Sequence, residues 1–167
     1  YSPDVFQSEW RLGGPKLIYR SGPVEAPVEI TGPLSLHLVA RSSAEDFDWF
    51  IAFMDEAPDG SAQILTRGWL RASHRELDEA RSKPGRPWHP HLRSVPLTPG
   101  QEETFEIELI PTCNVFQPGH RLRIEIASNG SILDRPGFHE ALPVKADVTV
   151  LEGAEGSYLY APVIPAG

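Results

Sequence analysis

Gly32-Pro33-Leu34-Ser35-Leu36-His37-Leu38-Val39-Ala40-Arg41 carries the clearest structural pattern in the chain. Leu34, Leu36, Leu38 and Ala40 alternate with Ser35, His37, Val39 and Arg41. A period of two places one set on a buried face and predicts a β-strand. Downstream, Trp49-Phe50-Ile51-Ala52-Phe53-Met54 is apolar on both faces, which predicts a strand in the middle of a sheet, covered on both sides. Pro58-Asp59-Gly60 supplies the fixed φ, the turn-capping carboxylate and the permissive glycine of a tight reversal. Ile64, Thr66, Gly68 and Leu70 then run back. Read locally, the three strands form an antiparallel meander.

Outward from this centre the same signature recurs. Phe105, Ile107 and Leu109 alternate with Glu106 and Glu108, and Leu122, Ile124 and Ile126 alternate with Arg121, Arg123 and Glu125. Both sets predict strands sharing one inner face. Short strands are also expected at 16–20, 147–151 and 158–164. Ser73-His74-Arg75-Glu76 has the form of a capping box and predicts a short helix over 75–83, ended by Pro84-Gly85. Residues 74–98 form an excursion between strands, and 1–15 an extended segment resting on the rest. Eight or nine strands with one short helix or polar excursion pack as two layers, and the long crossovers favour a jelly roll over an up-and-down barrel.

At 167 residues the chain fits one domain, and a chain of this size buries roughly 70% of its unfolded surface. The 14 glycines and 17 prolines suit many turns rather than long helices. A net charge of −8 disfavours a nucleic-acid partner. The apolar run 49–54 is too short to span a bilayer, so no membrane partner is expected. One cysteine, Cys113, excludes an internal disulfide and weakly favours a cytoplasmic location. Because the chain begins at Tyr1 and its single methionine is Met54, it reads as a processed chain or a piece of something longer.

Candidate chemistry is sparse. The Gly-x-Ser-x-Gly turn of serine hydrolases is missing from the sequence. Cys113 reads as an inert, buried small residue. Among the 6 histidines, His89-Pro90-His91 is the one close pair, and it reads as polar loop rather than metal site. His120 follows a Pro-Gly turn and is expected to bond a loop carbonyl. Asp46, Asp48, Asp55 and Asp59 read as turn caps rather than calcium ligands. No catalytic residue, cofactor or metal ligand is therefore nominated.

Several stretches resemble one known family. They are Tyr19-x-Ser21-Gly22-Pro23, Val28-Glu29-Ile30-Thr31-Gly32-Pro33, Ser42-Ser43-Ala44-Glu45-Asp46-Phe47-Asp48, Gly68-Trp69-Leu70-Arg71-Ala72-Ser73-His74-Arg75 and, most specifically, Pro111-Thr112-x-Asn114-Val115-Phe116-x-Pro118-Gly119-His120-Arg121-Leu122-Arg123-Ile124. Together they resemble the C-terminal domain of the cocaine esterase and X-Pro dipeptidyl-peptidase (CocE/NonD) serine hydrolases. The resemblance runs from about Tyr19 to Pro165, with Ala161 where a leucine is common. It implies a galactose-binding-like jelly roll that carries no catalytic residue itself. It also implies a partner, the α/β-hydrolase domain of the same parent protein, on which this domain packs and whose active site it helps shape. The alternative is an independent carbohydrate-binding module of the same architecture. Val5, Phe6, Trp10, Trp88 and His89 are the expected interface residues, and an uncovered interface would let isolated chains self-associate into a homo-oligomer.

Overall fold

The computed structural model describes residues 15–127, 146–153 and 156–165. It is an all-β sandwich of antiparallel strands: β1 (Lys16–Arg20), β2 (Val28–Ser42), β3 (Asp48–Glu56), β4 (Ala62–Arg71), β5 (Glu102–Phe116), β6 (Arg121–Ala127), β7 (Val148–Val150), β8 (Tyr158–Tyr160) and β9 (Val163–Ile164). The strand order is β1-β6-β3-β4-β5-β2-β7, with β8 and β9 also on β2. The sheet curls so that β1, β6, β3 and β4 face β5, β2 and the closing strands. β7, β8 and β9 each run antiparallel to β2 and pair in turn with its end, middle and start, an edge broken into short pieces. Short edges of this kind resist pairing with other chains.

The expected meander does not form. β3 does pair with β4 across the Pro58-Asp59-Gly60 turn, but its other neighbour is β6, and β2 pairs with β5. The link 43–47 carries the chain from one layer to the other, since β2 and β3 bury their apolar faces against each other rather than edge to edge. Leu34, Leu36, Leu38 and Ala40 meet Trp49, Ile51 and Phe53 in one core with Phe105, Ile107, Leu109, Ile124 and Ile126. The outer side of β3 is apolar too: Phe50, Ala52 and Met54 form a smaller cluster with Ala127, against which Ile64 packs.

The alternation on β5 and β6 reads correctly with one exception. Ile124 is 8% exposed and Ile126 and Phe105 are buried, whereas Leu122 is only partly buried at the rim. Ile124→Ala is accordingly expected to cost about 2–4 kcal/mol and Leu122→Ala distinctly less. Urea unfolding of both variants checks this, and equal losses would place Leu122 in the core.

Cys113 is exposed, not buried. From Leu109 to Thr112 strand β5 uses one residue more than β2 does from Leu34 to Gly32. That bulge flips the parity of β5, so Phe116 points inward and Cys113 outward. The predicted helix over 75–83 is also missing. A 3-10 turn at Ala72–His74 takes its place. Ser73 does not cap Glu76; its backbone N–H and its hydroxyl both donate to the Asp46 carboxylate, which also takes the Nε–H of Arg71. That long-range bond outcompetes the local capping box. Residues 75–101 then run without regular strand or helix.

Candidate functional site

The outer face of the β3–β4 pair carries a broad concavity. The ladder sets Asp48 opposite Arg71, Phe50 opposite Trp69 and Ala52 opposite Arg67. Because every second residue of β4 turns outward, Arg67, Trp69 and Arg71 share this face. Phe50 and Trp69 make its apolar floor, and the Trp69 ring stays 48% exposed. The bulge segment of β5, with Ile110 and Pro111, forms one wall, and His74, His89 and His91 form the other. The open groove has a volume of about 730 Å³, a size that takes a small molecule or a protruding side chain. Burial pulls the Arg67 guanidinium down to about 10.

The histidine wall is held from below. His89 points both ring nitrogens at backbone carbonyl oxygens, Nδ1 at Glu76 (3.0 Å) and Nε2 at Glu106 (2.7 Å). Carbonyls only accept, so the imidazolium satisfies both bonds and a neutral ring only one. This clamp ties the excursion to β5. His91 has φ of 51°, the left-handed region that histidine enters more readily than most residues. Its ring lies 5.3 Å from that of His74 and 5.8 Å from that of His89. Burial, followed by the neighbouring His89 and His74, holds the His91 imidazole below the usual histidine range.

The remaining predicted positions lie elsewhere. Trp88 is 44% exposed, carries the Arg81 guanidinium 4.0 Å above its ring and is not part of the groove. Its neighbour His89 lines the groove. Val5, Phe6 and Trp10 lie outside the described residues. His120, expected to bond a loop carbonyl, instead meets the Asp55 carboxylate through Nδ1 at 2.8 Å. Asp59 caps its own turn through Ser61, as expected. A smaller cleft near Tyr158 holds Glu106, which pairs with His37, and Tyr158 stacks on that imidazole with centroids 4.5 Å apart. Sequence reasoning did not find the groove. Its histidines come from a turn and from a proline-rich loop 17 residues later, and no local spacing joins them.

A family described as the X-Pro dipeptidyl-peptidase C-terminal non-catalytic domain matches residues 1–149. The chain belongs to that family. Over 116 residues it is 37% identical to a protein of Mycobacterium tuberculosis (strain CDC 1551 / Oshkosh) named as a candidate serine esterase, covering 66% of this chain and 18% of that one. It is 31% identical over 113 residues to the cocaine esterase of Rhodococcus sp. (strain MB1 Bresler), covering 68% of this chain and 17% of the esterase. The chain therefore spans less than a fifth of the length of these relatives. In fold it is similar to a CocE/NonD family hydrolase from Staphylococcus aureus, with a TM-score of 0.76 at 24% identity over 89% of this chain and 30% of the other. An α-amino acid ester hydrolase gives a TM-score of 0.70 at 24% identity, over 89% of this chain and 25% of the other. Both likenesses concern the fold.

Proposed function

We propose that this domain packs on the catalytic α/β-hydrolase domain of a parent esterase or X-Pro dipeptidyl-peptidase and forms part of its active-site wall. The observation that carries the reading is the match to a non-catalytic C-terminal domain over residues 1–149, from a chain that spans only 17–18% of its esterase relatives. Trp88, His89, Val5, Phe6 and Trp10 are the proposed contacts with the catalytic domain.

The isolated chain is expected to leave p-nitrophenyl acetate and a Gly-Pro anilide at their background rates. The parent protein is expected to hydrolyse one of them and to lose activity on Trp88→Ala, while the midpoint of unfolding barely moves. Turnover by the isolated chain that survives repurification and yields to a serine-reactive inhibitor would overturn the accessory role. A Trp88→Ala parent with unchanged activity and unchanged domain association would remove Trp88 from the interface.

A further inference from the structure

The Nδ1 atoms of His74 and His91 lie 3.2 Å apart at the rim of the groove. As a hydrogen bond this arrangement needs a proton on one Nδ1 and none on the other. Neither ring has another hydrogen-bond partner among the described residues. The separation matches a second use of the same two lone pairs. Two imidazole nitrogens bound at about 2.0–2.1 Å to one metal ion sit about 2.9 Å apart at a right angle and about 3.3 Å apart at a tetrahedral angle. A separation of 3.2 Å falls between the two.

Both backbones are already fixed. His74 ends the 3-10 turn, whose Ser73 is held by Asp46 and whose carbonyl accepts from Val95 N–H at 2.7 Å. His91 follows Pro90 and the doubly bonded His89. The side chains thus meet with little further ordering to be lost on binding.

We propose that His74 and His91 form a two-imidazole site for a divalent first-row transition metal ion, open to the groove, with water completing the coordination. Among the described residues no set of three His, Cys, Asp or Glu side chains is placed to hold a metal ion, so the site is a weak, exchangeable one rather than a structural zinc centre. Imidazole ligands favour Cu(II), then Ni(II) and Zn(II). Binding displaces the proton that the two Nδ1 atoms share, which in a neutral pair moves to Nε2 of the same ring. The charged groups around the groove are mixed: Asp48 and Glu108 favour a cation, Arg67 and Arg71 oppose it, and His89 opposes it when protonated. This inference does not depend on the accessory role.

The test titrates copper(II), nickel(II) or zinc chloride into the 167-residue chain carrying Cys113→Ser, which removes a competing exposed thiol. Calorimetry near neutral pH is expected to give one site, tightest for copper(II), and copper(II) is expected to quench tryptophan fluorescence. Trp69→Phe should keep the calorimetric site and lose most of the quenching, since Trp69 lines the same groove. His74→Ala and His91→Asn should each weaken binding at least about tenfold. Asparagine is chosen at position 91 because it also tolerates the left-handed backbone, and circular dichroism confirms that each variant is folded. His120→Ala should bind as before. No binding heat, or binding that survives loss of both His74 and His91, overturns the proposal.

Discussion

Gly68→Ala is expected to lower the unfolding free energy by about 3 kcal/mol, the top of the ordinary range for forced overpacking. The reason is space rather than backbone angle. Gly68 sits in β4 opposite Ile51 of β3 and is the residue through which β4 pairs with β5, at Leu109. A Cβ there would stand 2.2 Å from the carbonyl oxygen of Glu108 and 3.3 Å from Cγ2 of Ile107. A carbonyl in a strand cannot swing aside as a side-chain tip does, so β5 must move away as a unit. That movement opens the seam where the two layers of the sandwich join and disturbs the core contacts of Ile107 and Leu109, both fully buried. Urea unfolding followed by fluorescence measures the loss. A cost below about 0.5 kcal/mol, the level of an ordinary surface change, would mean that the layers do not approach so closely at this point.

Phe105→Ala carries the other large effect, an expected loss of about 3–5 kcal/mol. Phe105 is 1% exposed and sits where the two layers meet. Its ring lies edge-on to Trp49 with centroids 5.4 Å apart, and 6.4 Å from Phe47, itself packed edge-on to Trp49 at 4.8 Å. Truncation removes the ring's transfer free energy, leaves a cavity between β3 and β5, and breaks two edge-to-face contacts. Phe105→Leu, which refills most of the volume, should recover more than half of the loss. If Phe105→Ala and Phe105→Leu cost the same, the stabilisation would come from the aromatic contacts alone. A red shift of the Trp49 emission in Phe105→Ala is expected as water reaches the indole.

In the family to which this chain belongs, the C-terminal domain is the non-catalytic one. The proposed docking role and the proposed metal site share His89, which anchors the loop bearing His91, but differ at Trp88 and at the two ligating rings. Trp88 stands outside the groove, whereas His74 and His91 line it. Experiments on Trp88 and on the histidine pair therefore report separately.

The strands are legible in the amino-acid string, because burial on one face leaves a period of two. Leu34 to Ala40, Phe105 to Leu109 and Ile124 with Ile126 lie where that period puts them. The same string determined the two-sided cover of β3 and the Pro58-Asp59-Gly60 turn, since both depend on neighbours in the chain. It determined the family too, because motifs such as Pro118-Gly119-His120 are local strings. Which strands pair is a matter of three-dimensional packing. β2 chooses β5 rather than β3 because the apolar faces of β2 and β3 must cover each other, and pattern alone cannot distinguish facing from adjoining. The parity of Cys113 was decided by a bulge that depends on the count of residues in two strands at once. The capping box failed because Asp46, 27 residues before Ser73, offered that serine a charged acceptor. The meeting of His74 and His91 was likewise set by a loop tied down through His89 to the carbonyl of Glu106 on β5. Each of these depends on atoms far apart in the chain and close in space, and a one-dimensional pattern carries no record of that proximity.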